Sequence, residues 1–498
     1  MEHIAGEGLD CAALGRIAAG APAAFTAVAR ARIAAGEAQL AALIADGTPI
    51  YGVTTGFGAL DGAKVSAADN QALQPNLLKS HAAGLGAPMP KAEVRAMLAL
   101  RANVLATGIT GASLAAAEAL LAMLNAGLVP EVPVQGSVGA CGDLAPLAHL
   151  VLPLIGEGFC RLGGARMTGA QAMAQAGLTQ LPMTGRDGIA LINGTEQTTA
   201  IGCLAWLDGD TLIRWSEGIA ALSMEALGGL NDSFDERVAL AKPHPGQIET
   251  SRRLRQLTAG SVAVLAPRAS RLRDALSLRN IPQVIGAARD ASAFCQRVLE
   301  IEINAANDNP LFGLADGFVT SNSGNFHGQA AAEALDFLAN ALTSLAVMSE
   351  RRCARLVDPA TNYGLPAFLI HPEASPGRNS GFMIAQYTAA SLVAELRMRA
   401  IPASLQSVPT CANTEDHVPM APLAARRAAF AAETLRQILA IEFLLAAQAL
   451  DIRGHAAAPA LRASVAALRA RVPVMREDAV MGPQIEAAIA VLRGVASP

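Results

Sequence analysis

The chain has 498 residues, 52% of them hydrophobic and only 4% aromatic, with a formal net charge of −4. That length predicts two to four folding units sharing a large interior, and apolar mass supplied mostly by alanine and leucine predicts close-packed helices. The acid excess and the scattering of the arginines argue against nucleic acid or an anionic membrane as a partner.

The opening MEHIAGEGLD lacks the charged-then-apolar layout of a signal peptide. The longest apolar stretches are interrupted by Pro146, His149 or Glu442. The expectation is therefore a cytoplasmic protein with no membrane span. Seven cysteines (Cys11, Cys141, Cys160, Cys203, Cys295, Cys353, Cys411) form an odd set with no CxxC pair, which indicates neither a disulfide framework nor a metal site.

From residue 1 to about 195, short helical patterns alternate with glycine- and proline-rich turns, notably YGVTTGFG at 51–58 and PVQGSVGACGD at 133–143. Loops of this kind carry chemistry. From 196 to 498 the helical patterns lengthen, and residues 330–356 and 421–450 repeat apolar side chains at helical spacing for many turns. The second stretch is apolar around most of its circumference, which predicts burial inside a bundle or between subunits. The expected domains are thus a loop-bearing region, 1–195, and a long-helix bundle, 196–498. The glycines of GSVGACG do not make a nucleotide fingerprint, because no Lys-Ser/Thr follows and no strand precedes them.

That turn has the residue types for a different reaction. Gly142 offers an amide nitrogen unshielded by a side chain, Ala140 a small accessible carbonyl, and the flanking glycines a tight turn pressing the two together. Residues 136–149, from Gly136-Ser137-Val138-Gly139-Ala140-Cys141-Gly142-Asp143 to His149, resemble the signature of the aromatic amino acid ammonia-lyases. In that family an Ala-Ser-Gly tripeptide cyclises into an electrophilic methylidene-imidazolone. The resemblance implies this cofactor on Ala140-Cys141-Gly142, with cysteine losing hydrogen sulfide where serine would lose water.

Further segments in the family's order carry the resemblance from residue 51 to about 420 and imply roles for their residues. Tyr51, in the loop 51–58, is implied to be the base that takes the β-proton. His81, in NLLKSHAAG, and Glu415, in PTCANTEDH, follow the histidine-lyase form of their segments and imply recognition of an imidazole ring. Asn193, in LINGT, is implied to bind the amino-acid head, and Arg279, in SLR with Pro282-Gln283, to clamp the substrate carboxylate. Phe326, in SGNFHG, and Met383, in NSGFM, are implied to line the pocket. The implied fold is mainly α, of the histidine ammonia-lyase and fumarase–aspartase type with a long central helix bundle. The implied assembly is a homotetramer whose sites draw on three subunits, and the implied substrate is a small aromatic amino acid.

Three residues depart from the family pattern: Cys141 itself, Leu276 where a tyrosine is usual, and Arg378 where an aliphatic residue is usual. These leave two alternatives beside ammonia elimination from histidine or a close analogue. One is a cofactor-independent lyase resembling ergothionase, for which a trimethylammonium substrate needs no electrophile and Leu276 offers room for methyl groups. The other is an inactive member kept as a helical assembly protein.

Overall fold

The computed structural model describes residues 1–266, 271–313, 318–375 and 377–498. Helices dominate, in line with the alanine- and leucine-rich composition. The longest, Glu196–Leu227, Ile281–Ile303, Gln329–Val357 and Ala421–Arg453, contain 32, 23, 29 and 33 residues. Ala421–Arg453 has no glycine, and its one proline, Pro422, sits in the first turn, where the missing N–H was never needed. Its all-round apolar pattern is matched by all-round burial: Leu435, Ile438, Leu439, Ile441, Phe443, Leu444 and Leu445 are each at most 2% exposed. Glu442 within that run is also buried, and it is satisfied by the Arg352 guanidinium at 2.5 and 2.8 Å and by the hydroxyls of Ser223 and Ser349, both at 2.6 Å. Breaking up apolar stretches was expected to leave no span-length helix. Gln329–Val357 is nonetheless long and apolar enough to cross a membrane by length and composition, and 56% of its apolar window is buried inside the protein.

The chain divides into two compact units. The first comprises residues 1–207, 295–336 and 402–426; the second comprises 208–294, 337–401 and 427–498. Segments remote in sequence therefore meet within the first unit, which holds Tyr51, His81, Cys141, Asn193 and Glu415.

Strands are few and short. The pair that matters for the site is Leu85–Pro88 with Pro133–Gln135, antiparallel. The helix Ala67–His81, capped by the Ser66 side chain, leads into the first strand, and the second strand leads into the glycine turn. Gly136, at φ 131°, closes the arrangement: a Cβ there would sit 2.9 Å from the Cα of Gly84. This ladder sets the end of the His81 helix beside the turn that carries Cys141.

Candidate active site

A cavity of about 480 Å³ in the first unit is lined by Tyr51, Phe57, Leu77, His81, Cys141, Leu144, Ile189, Asn193, Cys411 and Glu415, among others. Tyr51 is held in its loop by a hydrogen bond that its oxygen accepts from the Gly58 N–H at 2.8 Å, and by the edge of the Phe57 ring, centroid to centroid 6.0 Å. Burial raises the phenol's pKa from its ordinary value, and the Gly58 N–H only partly opposes it. A cation must approach before this phenol can serve as a base near neutrality.

The glycine turn is built for close backbone contact. Gly142 has φ +69°, and a Cβ on it would lie 2.3 Å from the carbonyl oxygen of Gly194, so no other residue fits. The Asp143 N–H donates to that same carbonyl at 2.6 Å. A helix does begin here, Leu144–Val151, but Asp143 does not cap it with its side chain. Its carboxylate instead accepts the Ser137 hydroxyl at 2.7 Å and the Thr198 N–H at 2.8 Å, tying the turn on both sides to the start of Glu196–Leu227. Complete burial raises the Asp143 carboxyl's pKa, and those hydrogen bonds offset part of the rise. Ala140 is 2% exposed. A side-chain-free third position, a buried small first position and a rigidly tied turn fit the cyclised electrophile on Ala140-Cys141-Gly142.

Cys141 points its sulfur at Glu415. The thiol donates to Glu415 Oε1 at 2.6 Å, and Glu415 Oε2 accepts the Thr410 hydroxyl at 2.6 Å. Burial, reinforced by the Glu415 carboxylate, pushes the Cys141 thiol well above its ordinary pKa. A thiol kept protonated is a poor nucleophile and a poor metal ligand, but it can depart as hydrosulfide. His81 Nδ1 lies 2.9 Å from the Leu77 carbonyl. A carbonyl only accepts, so this nitrogen carries the proton and Nε2 is left as an acceptor. Burial lowers the His81 pKa, which keeps the ring neutral.

Asn193 is 4% exposed and held at three points. Its Oδ1 accepts the Asn309 N–H at 2.9 Å, its Nδ2 donates to the Cys141 carbonyl at 3.4 Å, and its own carbonyl accepts Arg101 Nη1 at 2.7 Å. Behind it lies a buried charge cluster that the sequence reading did not single out. Arg101 reaches Glu196 Oε1 at 2.8 Å, and Arg186 grips Asp308 with two bonds of 2.7 Å. The available signal was an arginine within the apolar run LALRANVL, since a charge there must find a buried partner.

The structure thus brings Tyr51, His81, Cys141, Asn193 and Glu415 around one cavity, with Ala140 and Gly142 in the turn beside it. Phe326 belongs to the same unit but is not among the lining residues. Arg279 and Leu276, on the short helix Leu276–Arg279, and Met383, at the start of Met383–Met398, belong to the second unit and do not line it. Leu276 is 57% exposed, and Arg279 Nε is buried with no hydrogen-bond partner among the described residues. Cys411, Thr410, Leu144 and Ile189 were not singled out. The first two lie in the segment of Glu415, where three successive residues, Cys411, Ala412 and Asn413, have φ of 51°, 53° and 68°, a strained conformation that sequence does not announce. No group of metal-ligating side chains occurs among the described residues.

The profile of the aromatic amino acid lyases matches residues 9–470. A histidine ammonia-lyase from Symbiobacterium thermophilum is 47% identical over 469 residues, covering 94% of this chain and 92% of that one. Among solved structures, a tyrosine aminomutase from Streptomyces globisporus superposes with a TM-score of 0.94 at 38% identity, over 99% of this chain and 97% of that one. The ergothionase of Treponema denticola, an ergothioneine-degrading enzyme, superposes with a TM-score of 0.91 at 27% identity, over 99% and 98% of the two chains.

Proposed function

Because the chain belongs to the aromatic amino acid lyase family, we propose that it eliminates ammonia from histidine, leaving a urocanate-type α,β-unsaturated acid. The observation that supports the substrate is that His81 and Glu415 line the same cavity as Tyr51 and Cys141. His81 Nε2 and the Glu415 carboxylate are both acceptors, so a cavity lined by them suits a ring bearing an N–H donor. Cyclisation of Cys141 removes the thiol donor from Glu415 Oε1, and a benzene ring would offer nothing in its place. The shared fold cannot make this choice, since an aminomutase and an ergothionase have it too.

Cyclised Ala140-Cys141-Gly142 would supply the electrophile that makes the amine a better leaving group. The chain's own residues do the rest. Tyr51 takes the β-proton, the Cα–N bond breaks, and the pair left on Cβ closes the double bond as ammonia departs. Asn193, its amide oriented by Asn309, presents N–H toward the tripeptide and the amino-acid head. Arg279 supplies the fork for the carboxylate and the positive charge that lowers the Tyr51 pKa. In the homotetramer that the family resemblance implies, neighbouring copies would contribute Arg279, Leu276 and Met383, so that each site is assembled from three subunits.

A second reading, trimethylamine release from a histidine betaine without the electrophile, is favoured by cysteine at position 141 in place of the family's serine and by Leu276. Intact mass together with product formation separates the two. Cyclisation removes one water and one hydrogen sulfide, about 52 Da in all. The proposal expects that deficit, urocanate-type absorbance from histidine, and loss of both in Cys141→Ala. Full betaine turnover by Cys141→Ala, with histidine untouched, would establish the second reading instead.

A further inference from the structure

We propose that Arg101 is a positioning residue: it sets Asn193 and Gly194 against the Ala140-Cys141-Gly142 turn, and so governs both closure of the turn and the rate of turnover. This inference rests on the lyase reading above.

Arg101 is fully buried, yet it does not use its guanidinium as a simple ion pair. Nη1 alone serves both the Asn193 carbonyl and Glu196 Oε1, at 2.7 and 2.8 Å. Nη2 is 4.0 Å from Asp308 Oδ2, and neither Nε nor Nη2 has a hydrogen-bond partner among the described residues. Leaving buried N–H groups unmet is costly, and a two-point fork on Glu196 would have avoided it. The geometry gives priority to the main chain of Asn193.

The steric arrangement points the same way. A Cβ on Gly194 would lie 2.3 Å from Arg101 Nη1, and a Cβ on Gly142 would lie 2.3 Å from the Gly194 oxygen. Guanidinium, Gly194 and Gly142 are therefore stacked with no side chain between them, and Gly194 has no slack in which to retreat. The side chain of Asn193 is held separately, through Asn309 and the Arg186–Asp308 pair, so that its Nδ2 meets the Cys141 carbonyl. Two buried arginines thus register one residue, by its main chain and by its side chain.

Ring closure depends on that register. The Gly142 nitrogen bonds to the Ala140 carbonyl carbon, and the Ala140 oxygen leaves as water with the amide hydrogens of Cys141 and Gly142. The Cys141 Cβ–Sγ bond then breaks, and the sulfur leaves as hydrogen sulfide with the Cα hydrogen. Reactions between groups held in contact tolerate little displacement, about 100-fold in rate for about 1 Å.

The test uses the full chain and three variants, Arg101→Lys, Glu196→Ala and Glu196→Gln, with intact mass, melting temperature, and kcat and KM for histidine measured on each. Wild type is expected to show the deficit of about 52 Da in full. Arg101→Lys keeps the charge but not the reach, and is expected to show the deficit in a minor fraction, with kcat lower by about 100-fold or more and KM within about threefold. Glu196→Ala leaves Arg101 unanchored and is expected to mature partially. Glu196→Gln, which retains an acceptor, is expected to mature fully. A merely structural Arg101 predicts a lower melting temperature with a complete deficit and wild-type kcat per folded chain. That result overturns the proposal, as does the same result in Glu196→Ala should Arg101→Lys not fold. No deficit in wild type removes the cyclised-cofactor reading and this inference together, whereas a full deficit with wild-type kcat in all variants removes only the role of Arg101.

Discussion

Replacing Tyr51 with phenylalanine separates what its oxygen does for chemistry from what it does for the fold. The ring keeps its edge contact with Phe57 and most of its burial, so packing is nearly conserved. The folded state loses one hydrogen bond, the 2.8 Å contact from the Gly58 N–H, which leaves that donor unmet at a cost of about 1–2 kcal/mol. In a chain of 498 residues that lowers the melting temperature by only a few degrees. Catalysis loses its base, worth about 100- to 10,000-fold, or about 3–5 kcal/mol of barrier. The pH profile supplies the sign. Activity requires the phenolate and rises as pH rises through the Tyr51 pKa. Burial raises that pKa within this chain, so the rise falls nearer neutrality only when the assembled site supplies positive charge. Following urocanate-type absorbance across pH in wild type and Tyr51→Phe tests all of this. A variant with kcat/KM within tenfold of wild type and the same acid limb would refute Tyr51 as the base.

Gly142→Ala should abolish the mass deficit and destabilise the chain, because the new Cβ would lie 2.3 Å from the Gly194 oxygen at a φ of +69°; a full deficit in mass spectrometry would show that the contact yields. Glu415→Gln should cut kcat/KM for histidine by about 10- to 100-fold, the worth of a charged hydrogen bond to an imidazole N–H, without creating activity on phenylalanine. An unchanged ratio in steady-state assays would remove Glu415 from ring recognition. For Glu196, burial raises the carboxyl pKa to about 7 against the pull of Arg101. The folded state holds this proton longer than the unfolded chain, so its contribution is full below about pH 4.5 and is lost as pH rises through about 7, on the order of 3 kcal/mol. Denaturant titrations between pH 5 and 8 should show a steeper slope in wild type than in Glu196→Gln, where the Glu93 carboxyl, also raised to about 7, still contributes; parallel slopes would place the proton elsewhere.

Much of this protein was legible as sequence because its signals are local. Ala421–Arg453 follows from an unbroken run of helix formers, and its burial from an apolar pattern with no polar face. The turn at 136–143 is announced by glycines that only a close backbone approach requires, and the order of segments from Tyr51 to Glu415 carried the family. What sequence could not supply is which remote groups satisfy each other. That Cys141 donates to Glu415, 274 positions away, follows from two loops meeting in one unit. That Asp143 ties the turn to Thr198 rather than capping its own helix follows from which donor lay nearer once the interior closed. Arg101 reads as an anomaly in an apolar helix, and only the fold supplies the Asn193 carbonyl and the Glu196 carboxylate that justify it. Periodicity records which face of a segment is buried, whereas the pairing of buried charges depends on how distant segments pack, and that is decided in three dimensions.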